Sequence, residues 1–413
     1  MIEIYISIIL GIITGIITGL IPGLHVNTVG IIIFSLSDKI TQYTSVISLC
    51  SFFVTIAICH SMIEFIPSLL FGVATEDTLT SIQPGHRLLF KGQANKAIRL
   101  VSFGGYFSII ILIVLMPLLF IILPIAYSLL KNYIGILLVT TMIIMLYYTN
   151  KSNIKRLYSS LIFIVSGILG LIVLNSNLGG NLALLTLLSG LFSISSLLYS
   201  INEKSVIPPQ ESNENIVIDK NFKKSTFAGS ISGCILGLLP GLGPAQGTII
   251  AQTLTFNKNI TPEDFIVTNS GVNVSDTLFS LIAIYLINNP RSAISVYVSN
   301  LLNDVTLAHV IFFIFISLVT ASIACILSIK IGDYVIKRIN RINYRNTSIL
   351  LVILITLVVM IYCIYSGGCL WYVILCFITS ISLGILPNVL NISKSNLMGI
   401  LIVPAIITYL GLL

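Results

Sequence analysis

Charge is what this sequence has least of. Its 413 residues include 21 Lys and Arg and 14 Asp and Glu, 8% of the chain, against 56% hydrophobic residues and a mean hydropathy of +1.06. Nine long stretches carry none of the four: 4–37, 40–63, 100–130, 132–150, 157–202, 225–257, 305–329, 346–393 and 395–413. A helix crosses the hydrocarbon with roughly 20 apolar residues, so 157–202 and 346–393 must each hold two spans. Such a pattern excludes a soluble globular domain. Backbone amides in lipid must be satisfied internally, which makes helices the expected element. Strand-like alternation is missing, and with it the outer-membrane barrel.

Other absences narrow the function. The seven cysteines lie in apolar stretches with no CxxC and no Cys/His metal spacing, so reduced thiols are expected. There is no HExxH and no GxSxG, and neither an enzyme nor a bound cofactor is expected. The opening MIEIYISIILG has no basic n-region and no small-residue cleavage site, and reads as a retained first helix. The net charge of +7 reads as loop charge that orients a membrane protein, not as a nucleic-acid surface.

What is there is a repeat. Residues 15–31 read GIITGLIPGLHVNTVGI, and residues 233–249 read GCILGLLPGLGPAQGTI. At a constant difference of 218, Gly15, Gly19, Pro22, Gly23 and Leu24 match Gly233, Gly237, Pro240, Gly241 and Leu242, and Gly11 matches Gly229 one turn earlier. Proline ends a helix and glycine permits the reversal. The helix that follows presents free N–H groups and a positive dipole end, which attract anions. The arm before the break ends in carbonyls suited to a cation. Polar residues follow each break: His25, Asn27 and Thr28 in the first copy, Gly243, Gln246 and Thr248 in the second. The upstream glycines also read as small-residue packing faces. Paired broken helices in matching apolar segments point to a transporter's binding site.

A polar patch follows each hairpin. The first holds His60, Ser61, Glu64 and then GVATEDT at 72–78; the second holds Asn269, Ser270, Asn273 and Asp276, then NNPRSA at 288–293. Ser61 aligns with Ser270 and Glu64 with Asn273 in this reading. Ionisable groups at membrane depth mark a cavity or ion path. Glu76, Asp77 and Glu263 read as solvated interfacial charges. The expected site is therefore Pro22, Gly23, His25, Asn27, Thr28, Ser61 and Glu64 with Pro240, Gly241, Gly243, Gln246, Asn269, Ser270, Asn273 and Asp276.

Counting charges gives an orientation. If each Pro-Gly joins two antiparallel arms and the N-terminus is outside, 18 of the 21 Lys and Arg fall inside, with Lys39, Lys131 and Arg291 outside. If the second arm instead dips back on the same side, the best split is 12 to 9. The second arms, 24–36 and 243–256, are too short to cross, so a re-entrant hairpin is favoured. The parity makes the halves inverted-topology repeats. The expected fold is an all-α polytopic membrane protein of about 10–14 segments, with repeats at 1–200 and 225–413 joined by a polar cytoplasmic linker at 201–224.

Here a resemblance becomes specific. GVATEDTLTSIQPGHRLLFKGQANKAI at 72–98, with Lys91-Gly92-Gln93-Ala94 and Ala97, resembles a signature of the large membrane subunit of tripartite tricarboxylate transporters. GLLPGLGPAQGT at 237–248 and, more loosely, EDFIVTNSGVNVSDTL at 263–278 resemble two further elements of that family. His25 within PGLHVNT resembles a divergent, archaeal-like branch. The resemblance implies a multi-pass plasma-membrane permease for a small organic anion, a di- or tricarboxylate, coupled to Na+ or H+. It also implies a small membrane subunit and an extracytoplasmic binding protein. These two and a homodimer stand as candidate partners beside the anion and the bilayer. The competing reading is a flippase for a lipid-linked phosphate or other anionic headgroup.

Overall fold

The computed structural model describes residues 2–21, 24, 26–73, 75–149, 152–201, 207–211, 216–239, 241–255, 260–339 and 343–412, the side chains of residues 28, 148, 149 and 344 aside. Every regular element among them is helical. The first half runs α1 (Ile2–Leu20), α2 (Val26–Ser35), α3 (Ser37–Ile40), α4 (Val46–Ile63), α5 (Phe65–Phe71), α6 (Ile82–Leu89) and α7 (Ala94–Leu130). It continues through α8 (Ile134–Thr149), α9 (Asn153–Leu174), α10 (Gly180–Leu188) and α11 (Ser195–Ser200), with a π-helical turn at Ser189–Ile194. The second half runs α12 (Lys220–Leu236), α13 (Pro244–Leu254), α14 (Pro262–Ile287), α15 (Ala293–Leu302) and α16 (Leu307–Ile336). It closes with α17 (Tyr344–Tyr365), α18 (Leu370–Val389) and α19 (Gly399–Tyr409). Nine segments among the described residues are long and apolar enough to cross a membrane. The chain is an all-α polytopic membrane protein.

The glycine rows decide how each hairpin packs. A Cβ on Gly11, Gly15 or Gly19 would stand 2.8, 2.6 or 2.8 Å from the Cβ of Thr55, Cys59 or Ile63 on α4. In the second half Gly229, Gly233 and Gly237 meet Gly271, Ser275 and the Phe279 ring on α14. Backbones approach this closely only where small residues line the seam. The two sets of partners differ by a constant 216 (271 minus 55, 275 minus 59, 279 minus 63). The same 216 relates the N-caps Ser45 and Thr261, and the left-handed residues Gly72 (φ 67°) and Asn288 (φ 47°) that end the helices. Segment 46–71 thus repeats as 262–287.

The copies differ at one break. α14 is continuous for 26 residues, whereas its counterpart stops at Glu64 and resumes as α5. Pro67 is the cause: it has no N–H to offer the Ile63 carbonyl, and its ring crowds that turn. The position equivalent to Pro67 is Ala283. The interruption leaves Glu64 at the helix junction.

The second arms end early. α2 has 10 residues and α13 has 11, about 15–17 Å at 1.5 Å per residue, well short of the ~30 Å hydrocarbon. α7 and α16 run antiparallel: Arg99 bonds Asp333 through both carboxylate oxygens (3.0 and 3.0 Å), and Ser102 bonds Ser328 (3.0 Å). Of the linker, residues 207–211 are docked. The Gln210 side chain accepts from the Ala94 N–H (3.0 Å) and donates to the Leu89 carbonyl (3.1 Å). Glu211 N–H donates to the Gly92 carbonyl (2.9 Å).

Candidate functional site

The site begins at the breaks. In the second hairpin α12 ends at Leu236, and Gly241 takes φ 83°, the reversal expected of a glycine after proline. Gly243 caps α13, Pro244 fills its first position, and the Gly243 N–H donates to Gln246 Oε1 (3.1 Å). Gln246 therefore serves its own helix end. Pro22, Gly23, His25 and Pro240 lie outside the described residues, as does the Thr28 side chain.

Both tips open onto one cavity of about 360 Å³. Ile21, Leu24 and Asn27 line it from the first hairpin, and Gly241, Leu242 and Gly243 from the second. Of the expected site, Asn27, Ser61, Glu64, Gly241, Gly243, Asn273 and Asp276 line it. Asn269 and Ser270 do not. Asn269 accepts from Ser81 (2.8 Å) and donates to the Asp77 carbonyl and to Thr248 (3.0 Å each), tying three elements together. Ser270 donates to the Val101 carbonyl at the α7 contact. Their polarity satisfies buried helix contacts.

Around Glu64 the halves meet. Its carboxylate accepts from Asn273 Nδ2 (2.7 Å) and from the Thr75 hydroxyl (3.1 Å). His60 Nε2 stands 3.8 Å from Glu64 Oε2, and its Nδ1 is 3.0 Å from the Thr18 hydroxyl. Glu64 and Asn273 are in contact, but they are not equivalent positions. The 216 register pairs Glu64 with Ser280, Ser61 with Thr277 and His60 with Asp276. The alignment of Ser61 with Ser270 and of Glu64 with Asn273 is therefore corrected. These helices are apolar over most of their surface, so a polar match along the chain carries little phase information; the glycine seams carry it.

Sequence reasoning missed several lining residues. Glu76 and Asp77 face the cavity rather than standing as solvated interfacial charges. Arg291, expected in an outside loop, lines it too. Its Nη2 donates to the Leu238 carbonyl (3.3 Å) and its guanidinium lies 5.8 Å from the Tyr127 ring centroid. Its Nε is buried with no acceptor among the described residues. Ser189 and Ser193 of the π-helical turn complete one wall, and π turns often occur at functional sites. The signal that was present is NNPRSA: a lone Arg beside Pro and two Asn, at the repeat position of Thr75.

No group of three or more His, Cys, Asp or Glu able to hold a metal occurs among the described residues. The profile of the tripartite tricarboxylate transporter TctA family matches residues 6–399. The chain is 31% identical over 387 residues, 92% of its length and 93% of the relative's, to the uncharacterized protein MJ1079 of Methanocaldococcus jannaschii. No solved structure matches it. The extent of the profile match and the two broken hairpins that meet at one cavity lead to one assignment: this chain belongs to the tripartite tricarboxylate transporter TctA family, a family of transporters and not of enzymes.

Proposed function

We propose that this chain is a secondary-active permease that moves a small organic anion, a di- or tricarboxylate, together with Na+ or H+. One observation carries the reading: both hairpin tips and Arg291, the one Lys or Arg among the described lining residues, converge on a single cavity between the halves. The volume is that of a small-molecule site. A guanidinium with an unfilled donor suits a carboxylate, and its planar fork takes both oxygens. Glu64, Glu76, Asp77 and Asp276 share the cavity and oppose an anion, and a cation carried with it offsets that repulsion.

Alternating access follows from the repeat. Antiparallel α7 and α16 are supporting evidence for inverted topology. The basic ends then face the cytoplasm and the N-terminus faces outside, in the plasma membrane. The family name implies a small membrane subunit and an extracytoplasmic binding protein as partners.

The test is binding and uptake of citrate, malate and inorganic phosphate by the purified protein in vesicles. Arg291→Lys is expected to weaken carboxylate binding about tenfold. Arg291→Gln is expected to weaken it by a hundredfold or more, since it leaves a desolvated anion unpaired. Wild-type affinity in Arg291→Gln sinks the reading. Transport of phosphate groups with no carboxylate transport favours the headgroup flippase.

A further inference from the structure

His60 and Glu64 stand one turn apart on a helix that belongs to a candidate membrane span, and both are buried. We propose that the coupling ion is a proton and that the His60–Glu64 pair carries it. This rests on the permease reading and names its ion and the residues that hold it. Loading adds one proton to the pair, whose charge goes from minus one to zero, as imidazolium–carboxylate or imidazole–carboxylic acid. Release on the other side removes the same proton, and no other bond changes.

The geometry favours a proton over Na+. Na+ needs a shell of oxygen ligands. Here the Glu64 oxygens already take hydrogens from the Asn273 amide at 2.7 Å and the Thr75 hydroxyl at 3.1 Å, so two of the carboxylate's lone pairs are engaged by the protein itself. A proton needs no shell. Thr18 holds His60 Nδ1 at 3.0 Å, which turns Nε2 toward Glu64 Oε2 at 3.8 Å. That is one small closure from a hydrogen bond. The pair also opens directly onto the cavity.

The surrounding charges explain the coupling. Against α4, α14 brings Asp276, the turn after α5 brings Glu76 and Asp77, and Arg291 stands ahead of α15. α1 and α2 face the cavity with Thr18 and Asn27; Glu3 of α1 binds Thr44 and Ser45 at the other end of α4. Arg99 and Lys96 of α7 are paired with Asp333 and Glu263, and His309 of α16 is half-buried with its Nδ1 accepting from the Thr306 N–H (3.3 Å). An unprotonated pair thus leaves four lining carboxylates opposing an anion and one guanidinium attracting it. Protonating the pair removes one of those negative charges. By linkage, the bound anion must raise the pair's proton affinity by the same factor, roughly 5- to 150-fold.

Two measurements on the full-length protein test this. Infrared difference spectra are taken across about pH 5–8, the range in which an unperturbed imidazole changes charge. A carboxyl step present in wild type, absent in Glu64→Gln and retained in Asp276→Asn is the expected result. A missing step, or one lost only in Asp276→Asn, overturns the proposal. In vesicles, an alkaline interior should drive labelled citrate uphill without Na+. Glu64→Gln should lose that accumulation, and its citrate exchange should no longer vary with pH. Accumulation driven by a Na+ gradient and indifferent to pH overturns the proposal. If wild type exchanges no carboxylate, the permease reading for carboxylates fails while the infrared step still decides the proton site. Should Glu64→Gln not fold, His60→Gln is measured instead, and an unchanged carboxyl step in it overturns the pairing.

Discussion

At the residue scale, the decisive groups are those whose neighbours the chain order hides. Asn273 and Glu64 are 209 positions apart and share a 2.7 Å hydrogen bond. A bond to a charged group contributes about 1.5–3 kcal/mol, and its loss leaves a buried carboxylate short of a donor. Asn273→Leu is therefore expected to lower the melting temperature in detergent by several degrees and to cut uptake. Asn273→Asp, which sets a second carboxylate beside the first, is expected to be worse than Asn273→Leu at neutral pH, and that order is the check. Gly241 is constrained by its backbone. At φ 83°, with Ala405 Cβ 3.0 Å from where its own Cβ would be, Gly241→Ala is strained twice. A loss of about 1–2 kcal/mol is expected, read as a lower melting temperature with uptake reduced further. Glu64 and Asp276 were visible in the sequence as ionisable groups at membrane depth. Arg291 was not, because a basic residue in a short polar link looks like any loop charge until the fold turns it inward.

At the element scale, the paired helices show how one residue changes a segment. Segment 46–71 and α14 begin on equivalent caps and end on equivalent left-handed residues, yet only the first is broken. Pro67→Ala is expected to restore one helical hydrogen bond and to raise stability by about 1 kcal/mol. It is also expected to lower transport, because the junction that presents Glu64 becomes continuous helix. Thermal unfolding and uptake measured on the same preparation separate these effects. The glycine seams predict the opposite sign. Gly15→Val or Gly233→Val drives a branched side chain into Cys59 or Ser275, and a loss of about 1–3 kcal/mol is expected for each. The seams were legible because glycine at every fourth position is a pattern along one chain. The register between repeats was not, since it depends on which residue each glycine touches.

At the scale of the whole molecule, a set of polar contacts at one end ties the halves. Arg99 with Asp333 and Lys96 with Glu263 cross between them, and residues 207–211 dock on the Lys91–Ala94 turn. Cysteines placed at positions 91 and 337 are expected to label from the same side of a sealed vesicle. Labelling from opposite sides removes the inverted-repeat arrangement. pH adds a test away from the membrane core. His86 sits beneath Gly72 with its Nε2 buried and unpaired, and burial pushes its pKa down to about 4 from 6.5. The unfolded chain then binds the extra proton between those values, so the stability from neutral His86 is full above about pH 6.5 and is lost as pH falls toward 4. Melting temperatures measured between those limits should fall less in His86→Gln than in wild type.

The sequence by itself determined that this is a helical membrane protein, that it carries one broken hairpin twice, and that the second arms are too short to cross. These properties follow from hydrophobicity, from proline and glycine chemistry and from segment length, all of which are local. Only the tertiary structure decided that the two tips share a cavity, that His60 corresponds to Asp276 and that Arg291 lines that cavity. Those facts depend on how helices far apart in the chain rotate against one another. A helix apolar on most of its surface does not encode its own rotation; the close contacts along the glycine seams set it.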